Sequence, residues 1–127
     1  MKFWIFMLIM NLLIPFSLII IGYKYKKNPP MKINKFHGYR TSMSMKNNET
    51  WIFAQKYHGK LCSSLGIIML PISIISMLFI IKKDINTVGK IGGIICLLQL
   101  IVLILSIIPT EKALKKSFDS NGNKKIQ

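Results

Sequence analysis

The run LCSSLGIIMLPISIISMLFII, residues 61–81, decides the fold, because its 21 residues include no Asp, Glu, Lys, Arg or His. Two further runs, residues 3–21 and 91–108, are equally free of charge. At about 1.5 Å per helical residue each run covers roughly 27–31 Å, close to a hydrocarbon core of about 30 Å. The sequence therefore predicts an all-α integral membrane protein with three transmembrane helices, over about residues 3–22, 61–81 and 91–108.

The composition excludes several other classes of protein. Of the 127 residues, 51% are hydrophobic and only 17% are charged, below the roughly 25% of soluble proteins. The net charge of +14 would suit a nucleic-acid-binding protein, but the basic residues only fill the gaps between the apolar runs. A soluble enzyme, a disulfide scaffold and a disordered chain are excluded. We expect one membrane domain, residues 1–127, with the lipid bilayer as a partner and no direct nucleic-acid contact.

The distribution of basic residues predicts the orientation. Of the 18 Lys and Arg residues, 14 lie in the first loop (23–60) and the tail (109–127), against four elsewhere. The positive-inside rule places this loop and the tail in the cytoplasm and the N-terminus outside. The first run is longer than a typical signal-peptide core and has its heavier positive flank behind it, so we expect it to remain as a span.

Polar chemistry is scarce within the spans. No titratable side chain that could carry protons or substrate charge lies there, and no nucleophile, base and oxyanion donors converge by spacing. We therefore expect no catalytic residues, no enzyme activity and no cofactor. His37 and His58 stand alone, and Cys62 and Cys96 lie inside spans, so no metal site is expected.

Two uncharged polar residues, Asn11 and Gln99, are expected to form hydrogen bonds between helices. Small residues in the second and third spans allow close helix packing and are compatible with homo-oligomerisation.

The first loop holds most of the remaining polar residues. It opens with Asn28-Pro29-Pro30, an extended spacer. Asn47 or Asn48 can cap a following helix, and helical spacing relates Trp51, Ala54, Tyr57 and His58. This segment is predicted to be a short interfacial helix, or to continue into the second span, with its aromatic rings at headgroup depth.

The loop resembles the signature of the SdpI family of bacterial membrane proteins, in a short form without the additional N-terminal module of longer members. In that family an Asn precedes a Gly-x-Arg-Thr turn, and a Trp and then a Gly follow before a span. The tail, with Glu111 after the last span and then Leu114, Phe118 and Asp119, is similar to the family's closing segment. The resemblance covers about residues 34–124, and its candidate partner-binding residues are Asn34, Gly38, Arg40, Thr41, Trp51, Gly59 and Glu111.

The sequence departs from the family pattern at three positions. Ser42 stands where Pro is common, and Ala54 and Lys56 replace a Thr and an Arg. We also expect Arg40 to pair with Glu111, because Glu111 lies near the cytoplasmic end of the third span, in the same layer as Arg40.

The resemblance implies immunity against a membrane-active toxic peptide, and in some settings the retention of a cytoplasmic transcriptional repressor at the membrane. The basic loop around Arg40 and Trp51 would present the surface that a soluble partner binds. The alternative is a structural or accessory membrane protein that binds anionic lipid or a larger transporter complex.

Overall fold

A computed structural model describes residues 1–36 and 38–125, and in this range the chain forms four helices. They are α1 (Lys2–Lys27), α2 (Asn48–Leu78), α3 (Ile85–Leu105) and α4 (Ile107–Ser117). Lys2–Lys27, Asn48–Leu78 and the combined segment Ile85–Ser117 are long and apolar enough to cross a membrane. The predicted all-α fold with three transmembrane helices is therefore confirmed.

Glycines allow α1 and α2 to pack with their backbones in contact. A Cβ atom added to Gly22 would lie 2.6 Å from the carbonyl oxygen of Gly59, and one added to Gly59 would lie 2.7 Å from the oxygen of Gly22. Farther along, Gly66 meets the backbone of Pro15 in the same way. The two helices are antiparallel, since Trp4 near the start of α1 donates a hydrogen bond to the carbonyl of Met77 near the end of α2. Small residues commonly set such close crossings in membranes.

A buried polar network joins the three long helices in the middle of the bundle. The Gln99 amide of α3 donates hydrogen bonds to the backbone oxygen of Asn11 on α1, at 2.9 Å, and to the hydroxyl of Ser73 on α2, at 2.7 Å. Asn11 is fully buried and its side-chain oxygen accepts a hydrogen bond from Cys96. Asn11 and Gln99 therefore both form hydrogen bonds between helices, as the sequence predicts.

The described part of the first loop contains no separate interfacial helix. Residues 23–27 of the loop end α1, and residues 48–60 are the opening turns of α2. Helix α2 is continuous over 31 residues or about 46 Å, well beyond a hydrocarbon core of about 30 Å. The helix begins at a capping box in which Asn47 and Thr50 satisfy each other's backbone amides. It passes through Pro71 and ends at Leu78, three residues before the predicted end of the span.

The tail holds a helix that the sequence analysis does not predict. Ser106 separates α3 from α4, and Pro109 lies in the first turn of α4, where its missing amide hydrogen costs no helical bond. For this reason Pro109 does not end the helical part of the chain. The fold thereby places α4 beside the opening turns of α2, at the end of the bundle that we call the loop side.

Candidate functional site

The first loop and the tail fold together into one structure on the loop side. We call this structure the loop layer; it comprises residues 28–36, 38–47 and 118–125, resting on the opening turns of α2 and on α4. Its buried apolar cluster is formed by Tyr39, Ala54, Leu114 and Phe118. The ring of Phe53 packs edge-on against Phe118, with ring centroids 5.5 Å apart. The layer is therefore packed on α2 and α4 through a shared apolar core.

Gly38 sits at a tight point of the layer. Its φ angle is +102°, a conformation that other residues rarely adopt, and a Cβ atom there would lie 2.7 Å from the side-chain oxygen of Gln55. The glycine of the predicted Gly-x-Arg-Thr turn is thus required both by its backbone angle and by the space available. The turn brings the next residue, Tyr39, onto α2.

Gln55 holds the backbone of Tyr39 from both sides. Its fully buried amide accepts a hydrogen bond from the Tyr39 N–H and donates one to the Tyr39 carbonyl oxygen, each at 2.6 Å. Gln55 is not among the predicted site residues, although its position four residues after Trp51 places it on the same helical face. That spacing is the signal by which it could be found.

The hydroxyl of Tyr39 donates a hydrogen bond of 2.7 Å to the Glu111 carboxylate on α4. Burial, followed by the effects of this carboxylate, raises the pKa of Tyr39 well above its ordinary value. The ring also lies against His58, with centroids 4.5 Å apart, and His58 contacts the hydroxyl of Thr110 on α4 at 3.0 Å. Tyr39 therefore joins the loop to both α2 and α4.

The predicted ion pair between Arg40 and Glu111 is not formed within the described residues. Glu111 is bound by the Tyr39 hydroxyl instead, and Arg40 is exposed. Tyr39 is buried against α2 and α4, and its hydroxyl occupies the Glu111 carboxylate. Arg40, the next residue, stays at the surface of the layer.

Thr41 and Ser44 brace the segment that follows. The Ser44 hydroxyl accepts a hydrogen bond from the Thr41 N–H at 2.8 Å, and the Thr41 hydroxyl accepts one from the Ser44 N–H at 3.2 Å. The hydroxyl of Thr50 on α2 donates to the carbonyl of Ser44, and the Asn47 amide donates to Gly122 in the tail at 2.7 Å. These bonds connect the loop to the helix and to the tail.

The remaining predicted residues have mainly structural positions. Trp51 is fully buried, and its indole N–H donates a hydrogen bond of 2.7 Å to Pro30, so its side chain is not part of the exposed surface that a partner would contact. The predicted depth of this ring in the bilayer stays a prediction. Asn34 shapes a turn by accepting a hydrogen bond from the N–H of Phe36, and Gly59 lies at the crossing with α1. His37 lies outside the described residues.

Comparison with known proteins places this arrangement in a family. A profile of the SdpI/YfhL protein family matches residues 31–110, which is more than half of the chain. The chain belongs to the SdpI/YfhL family.

A relative in this family is the uncharacterized protein YfhL of Bacillus subtilis (strain 168). It is 30% identical over 109 residues, which cover 83% of this chain and 86% of the relative. No solved structure matches the chain.

The SdpI/YfhL match covers the part of the chain that builds the contacts described above. It takes in the first loop from Met31, all of α2 and α3 and the start of α4, and therefore six of the seven predicted residues. Glu111 follows directly after it. The family match thus includes Gly38, Tyr39 and Gln55, whose contacts fix the loop layer on α2.

Proposed function

We propose that this SdpI/YfhL protein is an immunity protein that protects the cell against a membrane-active toxic peptide. The observation that carries the proposal is the folded loop layer, fixed to α2 and α4 through Tyr39, Gln55 and Glu111. Basic residues that served only to orient the chain would need no such packed layer. In the proposed mechanism the spans meet the peptide in the bilayer, and the loop layer carries the response to the cytoplasmic face.

The proposed orientation puts the loop layer in the cytoplasm and the N-terminus outside. It is tested in intact cells with single cysteines in a variant whose two native cysteines, Cys62 and Cys96, are replaced by alanine. A cysteine at exposed Ser42 should resist a membrane-impermeant thiol reagent, and one at exposed Asn86 should react. The reverse pattern would overturn the proposed orientation.

A second part of the proposal concerns signalling. A transcriptional repressor held at the membrane would bind the exposed basic face of the loop layer, where Arg40 and Lys46 are available and Trp51 is not. The amount of a candidate repressor that co-purifies with the membranes should depend on Arg40 and not on Lys2, because Lys2 lies at the other end of the bundle. Equal loss of repressor from both variants, Arg40→Gln and Lys2→Gln, would contradict a specific surface.

Survival in a toxin-sensitive strain is the direct test of immunity. Cells that express the protein should survive at least one member of a panel of membrane-active peptides at doses that kill cells with an empty vector. No gain in survival against the whole panel, with the protein present in the membrane, would refute the proposal.

The alternative is an accessory membrane protein that recognises no toxin, and the exposed position of Arg40 is the observation in its favour. If Arg40 acts only as a point charge on anionic lipid, Arg40→Lys should keep the lipid binding in full, whereas a site that needs the planar guanidinium should lose its binding.

A further inference from the structure

A cavity of about 680 Å³ lies beneath the loop layer, between the second half of α1 and the junction of α3 and α4. It forms because α3 contacts α1 through the first half of that helix, where Met7 packs at Gly92 and Asn11 bonds to Gln99. Beyond this contact the two helices leave a space between them. The inference drawn from this cavity goes beyond the proposed immunity function and stands apart from it.

The walls of the cavity are apolar and one side is open to the surroundings of the bundle. Leu13 and Ile21 of α1 and Ile107 of α4 line it, and their side chains are 51%, 51% and 41% exposed. Such exposed apolar residues on a membrane helix face lipid. The opening is therefore directed sideways into the bilayer.

The end of the cavity at the loop layer is polar and basic. Arg40 and Thr41 line this end, and none of the described residues lining the cavity is acidic. Arg40 is exposed and forms no ion pair with a carboxylate in the described chain, since the nearby Glu111 accepts the hydrogen bond of Tyr39. An unpaired guanidinium at the rim of an apolar space is complementary to an anionic headgroup joined to a hydrocarbon chain.

The length of the cavity and its apolar lining suit a lipid acyl chain. It extends along α1 from Leu13 to Tyr25, about 18 Å, which is close to one leaflet of a hydrocarbon core of about 30 Å. We infer that the cavity binds one acyl chain of an anionic phospholipid from the loop-side leaflet, with the lipid phosphate on Arg40.

Native mass spectrometry of the purified full chain in a neutral detergent tests the headgroup contact. The detergent is titrated with phosphatidylglycerol or with phosphatidylcholine of the same acyl chains. One phosphatidylglycerol should be retained with about 5- to 10-fold higher affinity than phosphatidylcholine, and Arg40→Gln should abolish this preference. Lys46→Gln is the matched control, because Lys46 is exposed in the same loop and does not line the cavity.

The chain contact is tested by filling the cavity. Ser17 of α1 lines the cavity, so the Trp side chain in Ser17→Trp should fill it and displace the acyl chain. The binding of both lipids should weaken about 10-fold or more, which is the range expected for losing a buried apolar contact. Ser64→Trp, at an exposed serine of α2 away from the cavity, should leave binding unchanged. Equal melting temperatures of Arg40→Gln and wild type without lipid show that a lost preference is not caused by unfolding.

Three results would overturn the inference. The first is equal binding of the two lipids to the wild type, and the second is an unchanged preference for phosphatidylglycerol in Arg40→Gln. The third is a wild type that binds no lipid but binds a synthetic transmembrane helix, with this helix binding blocked by Ser17→Trp. The survival assay for immunity can fail without affecting any of these measurements, because they use the purified protein and no toxin.

Discussion

Replacing Gln55 by Leu tests how the loop layer is held on α2. Leucine has a similar size but no polar atoms, so the change removes both hydrogen bonds to the backbone of Tyr39. The Tyr39 carbonyl keeps the hydroxyl of Ser44 as a donor, whereas the buried Tyr39 N–H loses its acceptor. One lost hydrogen bond costs about 1 kcal/mol and a stranded buried donor about 1–3 kcal/mol, so the layer should be destabilised by about 2–4 kcal/mol.

Limited trypsin digestion of the protein in detergent measures this loss locally, because Arg40 and Lys46 provide cleavage sites within the loop. When the layer opens and closes rapidly compared with cleavage, the rate follows the population of the open form. A loss of about 2–4 kcal/mol should then accelerate cleavage after Arg40 by about 30- to 700-fold.

The matched control is Asn48→Leu, a polar-to-apolar change of the same kind at an exposed position of the same helix end. It should leave the cleavage rate within about twofold of the wild type, as most surface substitutions do. If Gln55→Leu is cleaved no faster than Asn48→Leu, the reasoning that Gln55 fixes the loop is refuted.

Three further predictions concern the packing of the layer and the bundle. Burial and a neighbouring carboxylate raise the pKa of Tyr39, so its neutral hydroxyl contributes stability that is present below about pH 10 and lost as the pH rises through the higher folded pKa. Ultraviolet titration should show a late tyrosinate step that the Tyr39→Phe variant lacks. A late step that persists in Tyr39→Phe would contradict the assignment. Gly38→Ala and Gly59→Ala should each lower the unfolding free energy by about 1–3 kcal/mol in denaturant titrations, the first because of its positive φ and the second because of contact with the α1 backbone. Gly93→Ala is the control and should leave the unfolding free energy unchanged, because a Cβ atom on Gly93 would have no neighbouring heavy atom within 4 Å. Gln99→Leu should cost about 0.6–2 kcal/mol in the same titrations by removing two interhelical hydrogen bonds, and an unchanged midpoint would show that the network does not stabilise the bundle.

The transmembrane helices can be predicted from the sequence because their signal is strong and local. An uncharged run such as residues 61–81 has few alternatives to a spanning helix, and the residue types alone narrow the helix cap to Asn47 or Asn48, of which the structure uses Asn47. The need for glycine at position 38 is also predictable in outline, since a tight turn favours it. These features depend on the properties of neighbouring residues alone.

The contacts of the candidate site depend on residues far apart in the chain, and there the sequence is less informative. Charge complementarity favours a pair between Arg40 and Glu111, but the direction of each side chain depends on the backbone after Gly38, which turns Tyr39 inward. Gln55 is not predicted as a site residue because a single glutamine on a helix is usually exposed. Trp51 resembles an interfacial anchor in sequence, and only the folding of the Pro30 segment over it explains why it is buried.

The central claim is that the folded loop layer supports immunity, and survival of a toxin-sensitive strain expressing Gln55→Leu tests it most directly. The wild type and the control Asn48→Leu, at equal levels in the membrane, should protect against the same peptide, while Gln55→Leu should lose most of the protection. If Gln55→Leu protects as well as the wild type while its loop is cleaved faster by trypsin, the claim is contradicted.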